Sequence, residues 1–439
     1  MKKRIIFKIM LLSSLWLIGV NSLKAEVQLA EGVTLSGSGE VDFFGRKSNG
    51  MNGKALNDAT GVANMINSGA FNDPANAEYK NQVLDQYGKS SGFNEGVEVD
   101  SYINFNGRHN YTALGGGSII WKTSSKVATD FRYDSFGMRE AWGGLDTKYG
   151  KLIFGHQLGN IWYAMDSYWG GSAGMGFLSA DYGVSQQDFG NAIQYVSPVF
   201  AGFTIKVLAD VGSRVAYSNV GANEITSGEL PADAFPVSNS EAYEFYGNYE
   251  NTFDNVKLRV DLGYYHAVND NNLSGFTGKF DSKGTNPDNL LHNNADTFMV
   301  GTSVNVSNFK IGLSYKYDAM QGETLWGTID EGKTFSFQTI SLMVGYEMNF
   351  GKVDLGYNMI IVPNDVASYS TDLIGTAGNV SSVNAQYTHY LNEKKTFTSF
   401  VQFRYAMYEE ETDMFFVTDG KNFNEKSSAR LLVGLWYGF

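Results

Sequence analysis

The sequence predicts an all-β fold, a transmembrane antiparallel up-and-down β-barrel of sixteen strands. Three observations predict it. The chain opens with an export segment, apolar side chains recur at every second position over runs of about ten residues, and short and long connections alternate strictly along the chain.

The N-terminus comes first. Lys2, Lys3, Arg4 and Lys8 precede a largely apolar run from Met10 to Val20, interrupted by Ser13, Ser14 and Gly19, which leads to the small residue Ala25. Charged, apolar and cleavage-site regions in that order make a signal peptide. Residues 1–25 are expected to be removed, leaving 26–439 as one barrel domain, although Leu23 departs from the small residue such a site prefers. A spanning helix would need about 20 apolar residues, more than this run offers.

Composition narrows the class. Removing residues 1–25 takes five of the 33 basic residues and none of the 46 acidic ones, so the mature chain carries a formal charge of −18. An acidic chain is a poor nucleic-acid partner, which would call for a basic patch. No cysteine is present, so no disulfide framework or thiolate metal site is expected. The chain has 50 Gly, 26 Tyr and 30 Phe but only 6 Pro. A membrane barrel produces such a balance, because alternate residues touch lipid and aromatics form girdles at both interfaces.

Alternation separates the barrel from a soluble β-sandwich. At the C-terminus Leu431, Val433, Leu435, Tyr437 and Phe439 share one face, opposite Arg430, Leu432, Gly434, Trp436 and Gly438. The same rhythm puts Phe309, Ile311, Leu313, Tyr315 and Tyr317 opposite Lys310, Gly312, Ser314, Lys316 and Asp318. It also puts Val256, Leu258, Val260, Leu262 and Tyr264 opposite Lys257, Arg259, Asp261 and Gly263. Phe400 is the exception on the polar side of Phe397–Tyr405. Runs of about ten residues suit a tilted bilayer crossing, whereas sandwich strands average about five or six.

Sixteen such segments are expected, at about 33–45, 97–106, 116–125, 136–145, 150–157, 192–198, 203–210, 241–250, 256–266, 295–306, 308–317, 335–349, 353–362, 379–390, 395–407 and 428–439. Short turns such as Asp146 to Tyr149, Pro198 to Gly202, Asn251 to Asn255 and Asn349 to Lys352 follow even-numbered strands, and long polar loops follow odd-numbered ones. Short periplasmic turns opposite long outer loops give this rhythm. The longest connection, Lys47 to Gly96, reads as a solvated loop, and a hairpin inside it would make the count eighteen.

Residues 137–210 carry a more specific signal. Gly137-Met138-Arg139-Glu140-Ala141-Trp142-Gly143-Gly144-Leu145 is followed by Lys148-Tyr149-Gly150-Lys151-Leu152-Ile153-Phe154-Gly155. After a loop comes Asn191-Ala192-Ile193-Gln194-Tyr195-Val196-Ser197-Pro198-Val199-Phe200-Ala201-Gly202-Phe203. These segments resemble the general diffusion porins of Gram-negative outer membranes, as does the terminal Phe439. The resemblance implies homotrimeric, water-filled barrels whose third outer loop, here about Leu158 to Gly190, folds inward and narrows the pore. It also implies a constriction in which Arg139 on the wall faces the loop acids Asp166, Asp181 and Asp188. Tyr102 and Gln194 stand where the family often places further basic residues, so the transverse field is expected to be weaker. Alternation itself turns Asp100, Tyr102, Lys206, Arg259, Lys310 and Arg404 toward the lumen. Glu140 would face outward on the same count, unless the register slips there.

Catalytic and metal chemistry find little support. His109, His156, His266, His292 and His389 are scattered, with no serine or carboxylate in a recognised spacing. Asn269-Asp270-Asn271-Asn272, Gly275, Asp281 and Asp288 lack the spacing of a calcium loop. Gly115-Gly116-Gly117 lacks the Lys-Ser/Thr and helix of a phosphate cradle. The expected function is passive, weakly cation-preferring diffusion of small hydrophilic solutes and ions across the outer membrane, without cofactor or enzyme activity. A substrate-selective channel and a structural or adhesive surface barrel are the alternatives.

Overall fold

A computed structural model of the protein describes residues 27–48, 93–112, 116–129, 134–168, 188–210, 241–268, 294–321, 334–361, 379–412 and 425–438, with the fragments 323–324 and 327–328. A short strand, β1 (Val27–Ala30), folds back on β2 (Val33–Ser48). Then follow β3 (Phe93–Tyr111), β4 (Gly117–Thr129), β5 (Asp134–Thr147), β6 (Gly150–Leu158), the helix α1 (Asn160–Asp166), β7 (Asp188–Val196), β8 (Phe203–Asp210), β9 (Glu241–Phe253), β10 (Val256–Val268), β11 (Asn294–Val306) and β12 (Phe309–Gln321). A two-residue ribbon of β13 (Glu323–Thr324) and β14 (Gly327–Thr328) precedes β15 (Phe335–Met348), β16 (Gly351–Ile361), β17 (Val380–Tyr390), β18 (Phe397–Thr412) and β19 (Glu425–Gly438).

The sixteen long strands each pair antiparallel with their neighbours, and β19 pairs with β2 to close the cylinder. Because β2 pairs with β3 directly, a hairpin within residues 49–92 could not enter the ring, and the count is sixteen rather than eighteen. All sixteen expected strands are present. Many run further than the apolar pattern indicated, β3 most of all, because pairing needs only facing backbone groups and continues past the apolar band. No helix among the described residues is long and apolar enough to cross a membrane; the strands do the crossing.

The faces are inverted relative to a soluble domain. Phe309, Ile311 and Leu313 stand about half exposed on the outer wall, while Ser314, Lys316 and Asp318 of the same strand are buried on the inner one. A closed sheet in lipid requires this arrangement, since every backbone polar group is paired within the ring and the apolar side chains meet hydrocarbon. Phe400 does point inward, where it packs with Leu432 and Trp436 beside the closing seam.

One end of the barrel carries tight turns. The β9–β10 and β11–β12 hairpins reverse over two residues, with Asp254 and Ser307 both at a φ of 53°. Positive φ in a two-residue hairpin matches the twist of the flanking strands. Gly116, at φ 82°, leads into β4.

Register is continuous except at a few points, and one of them matters. Ser124 of β4 faces Glu140 while Ser125 faces Met138, so Arg139 is the extra residue of a β-bulge. Glu140 therefore does not face lipid. A carboxylate there would cost free energy, and the extra residue turns Glu140 inward instead, where it is buried against Lys122 and accepts a bond from Trp142 Nε1 at 3.3 Å.

Candidate pore constriction

The described part of the third loop, Gly159 to Tyr168, leaves the end of β6 and lies against the inner wall. Its anchors are on β9 to β12. The buried carboxylate of Glu244 on β9 accepts the backbone N–H of Asn160 at 2.6 Å, its side-chain amide at 2.7 Å and the N–H of Ile161 at 3.1 Å. A charged acceptor holding the first donors of α1 satisfies groups that a seven-residue helix leaves open.

Small wall residues then allow close approach. A Cβ on Gly263 of β10 would sit 2.5 Å from Ile161 Cγ1, and one on Gly301 of β11 2.5 Å from Tyr168 Cε2. Both loop side chains are fully buried. These glycines are seats, with the missing side chains replaced by those of the loop.

Asp261 completes the attachment. Its carboxylate, with no exposed surface, accepts hydrogen bonds from the hydroxyls of Tyr168 and Tyr246, from Asn248 Nδ2 at 2.6 Å and from Arg259 Nε at 2.8 Å. Burial, and then the bond to Asp261, push the Tyr168 phenol far above its usual range, so it remains a donor at any physiological pH.

The opposite side of α1 reaches another wall. Arg139 of β5 lies with its Cζ 4.2 Å from the centre of the Tyr102 ring and 5.8 Å from that of Trp162 on α1. Such cation–π contacts are worth about 0.5–2 kcal/mol each. Beside them Lys126 bonds Asp100 at 3.2 Å. The described part of the loop thus has contacts on β9–β12 and on β5.

The expected site residues distribute as follows. Arg139, Tyr102 and Asp100 meet near the loop, and Lys206, 5.2 Å from the Tyr246 ring centre, is close to its other anchor. Arg259 is bonded into that anchor. Lys310 lies toward the short-turn end, and Arg404 is inward on β18, directly across from Arg430 of β19. Asp166 ends α1, Asp181 lies outside the described residues, and Asp188 opens β7, paired with Leu158, and so is a strand residue rather than a loop acid. The loop proper is shorter than the expected Leu158 to Gly190, because β6 and β7 keep pairing to their ends. Asp261 was legible on the polar face of its strand, but neither it nor Glu244 was legible as an anchor; glycine on neighbouring inward positions was the signal for that role. His266 bonds Asp296 at 2.8 Å on the outer face, and His292 and the calcium-loop candidate lie outside the described residues.

A family model for Gram-negative porins matches residues 20–411. The chain belongs to the Gram-negative porin family. Solved structures agree in fold. An anion-selective porin from Comamonas acidovorans is 13% identical and superposes with a TM-score of 0.55, covering 93% of this chain and 99% of that one. OmpT of Vibrio cholerae, an outer membrane protein in its trimer form, is 14% identical with a TM-score of 0.52, covering 93% and 100%. OmpF of Salmonella typhi, in complex with daunomycin, is 14% identical with a TM-score of 0.51, covering 94% and 100%. No curated protein matches the chain. The porin family and fold support an outer-membrane channel for passive diffusion.

Proposed function

We propose that this porin is a water-filled pore for small hydrophilic solutes and ions, weakly cation-preferring, assembled as a homotrimer and delivered by cleavage of residues 1–25. The observation that carries the reading is the anchored loop: an arm held by Glu244, Asp261 and two glycine seats fixes an aperture within a polar-walled barrel. The cation preference is supported by pairing. Lys122, Lys126, Arg259, Lys316 and Lys352 of the wall each have a carboxylate partner, Glu140, Asp100, Asp261, Asp318 and Asp354 respectively. Paired wall cations contribute little to the field an ion meets, which leaves the −18 charge of the mature chain to bias entry. Against this stand Arg139, Lys206 and Lys310, and two of the wall acids, Glu244 and Asp261, lie buried under the loop. The bias is therefore modest.

Reconstitution into a planar bilayer with a potassium chloride gradient tests the reading. A steady open conductance with a reversal potential on the cation side is expected. A sealed lumen would favour an adhesive barrel, and permeation by one solute class with other small solutes excluded would favour a selective channel.

A further inference from the structure

At the short-turn end of the lumen lies a cavity of about 600 Å³, with Ser167 of the loop on its lining. Arg259, Lys310, Lys352 and Lys395 line it, against the carboxylates of Glu347 and Asp354. Three of the four cations are matched: Arg259 to Asp261 at 2.8 Å, Lys352 to Asp354 at 3.0 Å, and Lys395 to Glu347. Lys310 differs. Among the described residues no carboxylate is within ion-pair reach of its ammonium.

The cross-strand neighbours of Lys310 are Gly345 of β15, where the Asp354 carboxylate takes the space a side chain would fill, and Asn305 of β11. The Asn305 Oδ1 is buried without a hydrogen-bond partner. The Nδ2 of the same amide carries two N–H donors. An ammonium with three donors and a neighbouring amide thus share the lining of a cavity whose volume is typical of small-ligand sites.

We propose that this cavity is a binding station for the oxyanion group of a small solute, a phosphate or a carboxylate, with Lys310 as its charge partner and Asn305 as a second donor. The station rests on the open-pore reading above and deepens it. It is compatible with a cation-preferring current, because an anion that dwells in the pore carries less of the current than one that passes freely.

Single-channel recording of the full-length barrel in potassium chloride tests it, with inorganic phosphate, and in a separate series acetate, added to each side in turn. Phosphate is expected to reduce the conductance saturably. Lys310→Gln is expected to raise the half-blocking concentration about tenfold or more, Lys310→Arg to keep it within about threefold, and Asn305→Ala to raise it less than Lys310→Gln does. The acetate series separates the two sources: block by acetate alone assigns the station to carboxylates, and block by phosphate alone to phosphates. Block of equal strength in parent and Lys310→Gln overturns the proposal, as does an open parent conductance that neither anion changes. Absence of any open conductance overturns the pore reading itself, so the two failures are distinguishable.

Discussion

Asp261 receives donors from Tyr168, Tyr246, Asn248 and Arg259, and these come from the loop and from two strands. A buried carboxylate is costly unless its lone pairs are filled, and here they are. Asp261→Asn would remove the charge that balances Arg259 and replace one acceptor oxygen by a donor facing donors. Breaking one partner of a buried pair costs about 3–5 kcal/mol. Because two of the four donors hold or support the loop, the expected result is a folded barrel with excess current noise and a larger mean conductance, read in the same bilayer assay. Unchanged noise would mean that the loop is held elsewhere. Arg139 is the second informative residue. Among the described residues it lies against aromatic rings rather than a carboxylate, which leaves its charge available to the lumen. Arg139→Gln is expected to raise the cation-to-anion permeability ratio, by about twofold at low salt, and the effect should shrink as ionic strength rises and the Debye length falls below about 8 Å. A ratio that does not move would place Arg139 away from the ion path.

The loop, the bulge and the strands set the next scale. Sequence alternation located all sixteen strands, since a strand with one face in lipid must alternate and the pattern is local. The same pattern misplaced Glu140, because a bulge adds one residue without changing composition, and every side chain beyond it changes face. The loop was legible by its length and its aromatic and glycine content, but its partners were not. Glu244 is 84 positions from Asn160, and Asp261 is 93 from Tyr168. Gly301→Val tests the seat at element level. The new side chain would overlap the Tyr168 ring, so Tyr168 must leave and the loop must lift. An intact barrel with raised conductance and faster fluctuations is expected, read by single-channel recording beside electrophoretic mobility of the folded form. Removing residues 166–181 should give a larger increase in the same direction, because it deletes Tyr168 outright. A folded deletion variant that conducts like the parent would show that the aperture is set by another segment.

For the whole molecule, the outer wall and the net charge govern assembly and permeation. By alternation β2 presents Gly37, Gly39 and Gly45 outward and β5 presents Ala141 and Gly143, small side chains that let one barrel lie flat against another. A trimer is therefore expected on native gels in mild detergent, and crosslinking between copies should run through these strands. Monomer alone would remove it. Fold class, the positions of the strands, the alternation of turns and loops, the polar lumen and the family were legible in the sequence, because each follows from local periodicity or from short contiguous motifs, while the choice of sixteen strands over eighteen needed the pairing of β2 with β3. The anchors of the loop, the inward turn of Glu140, the aromatic setting of Arg139 and the unmatched state of Lys310 were decided only by the tertiary structure. Each depends on which strands the closed ring makes neighbours and on one extra residue in one strand, and no pattern along the chain records either.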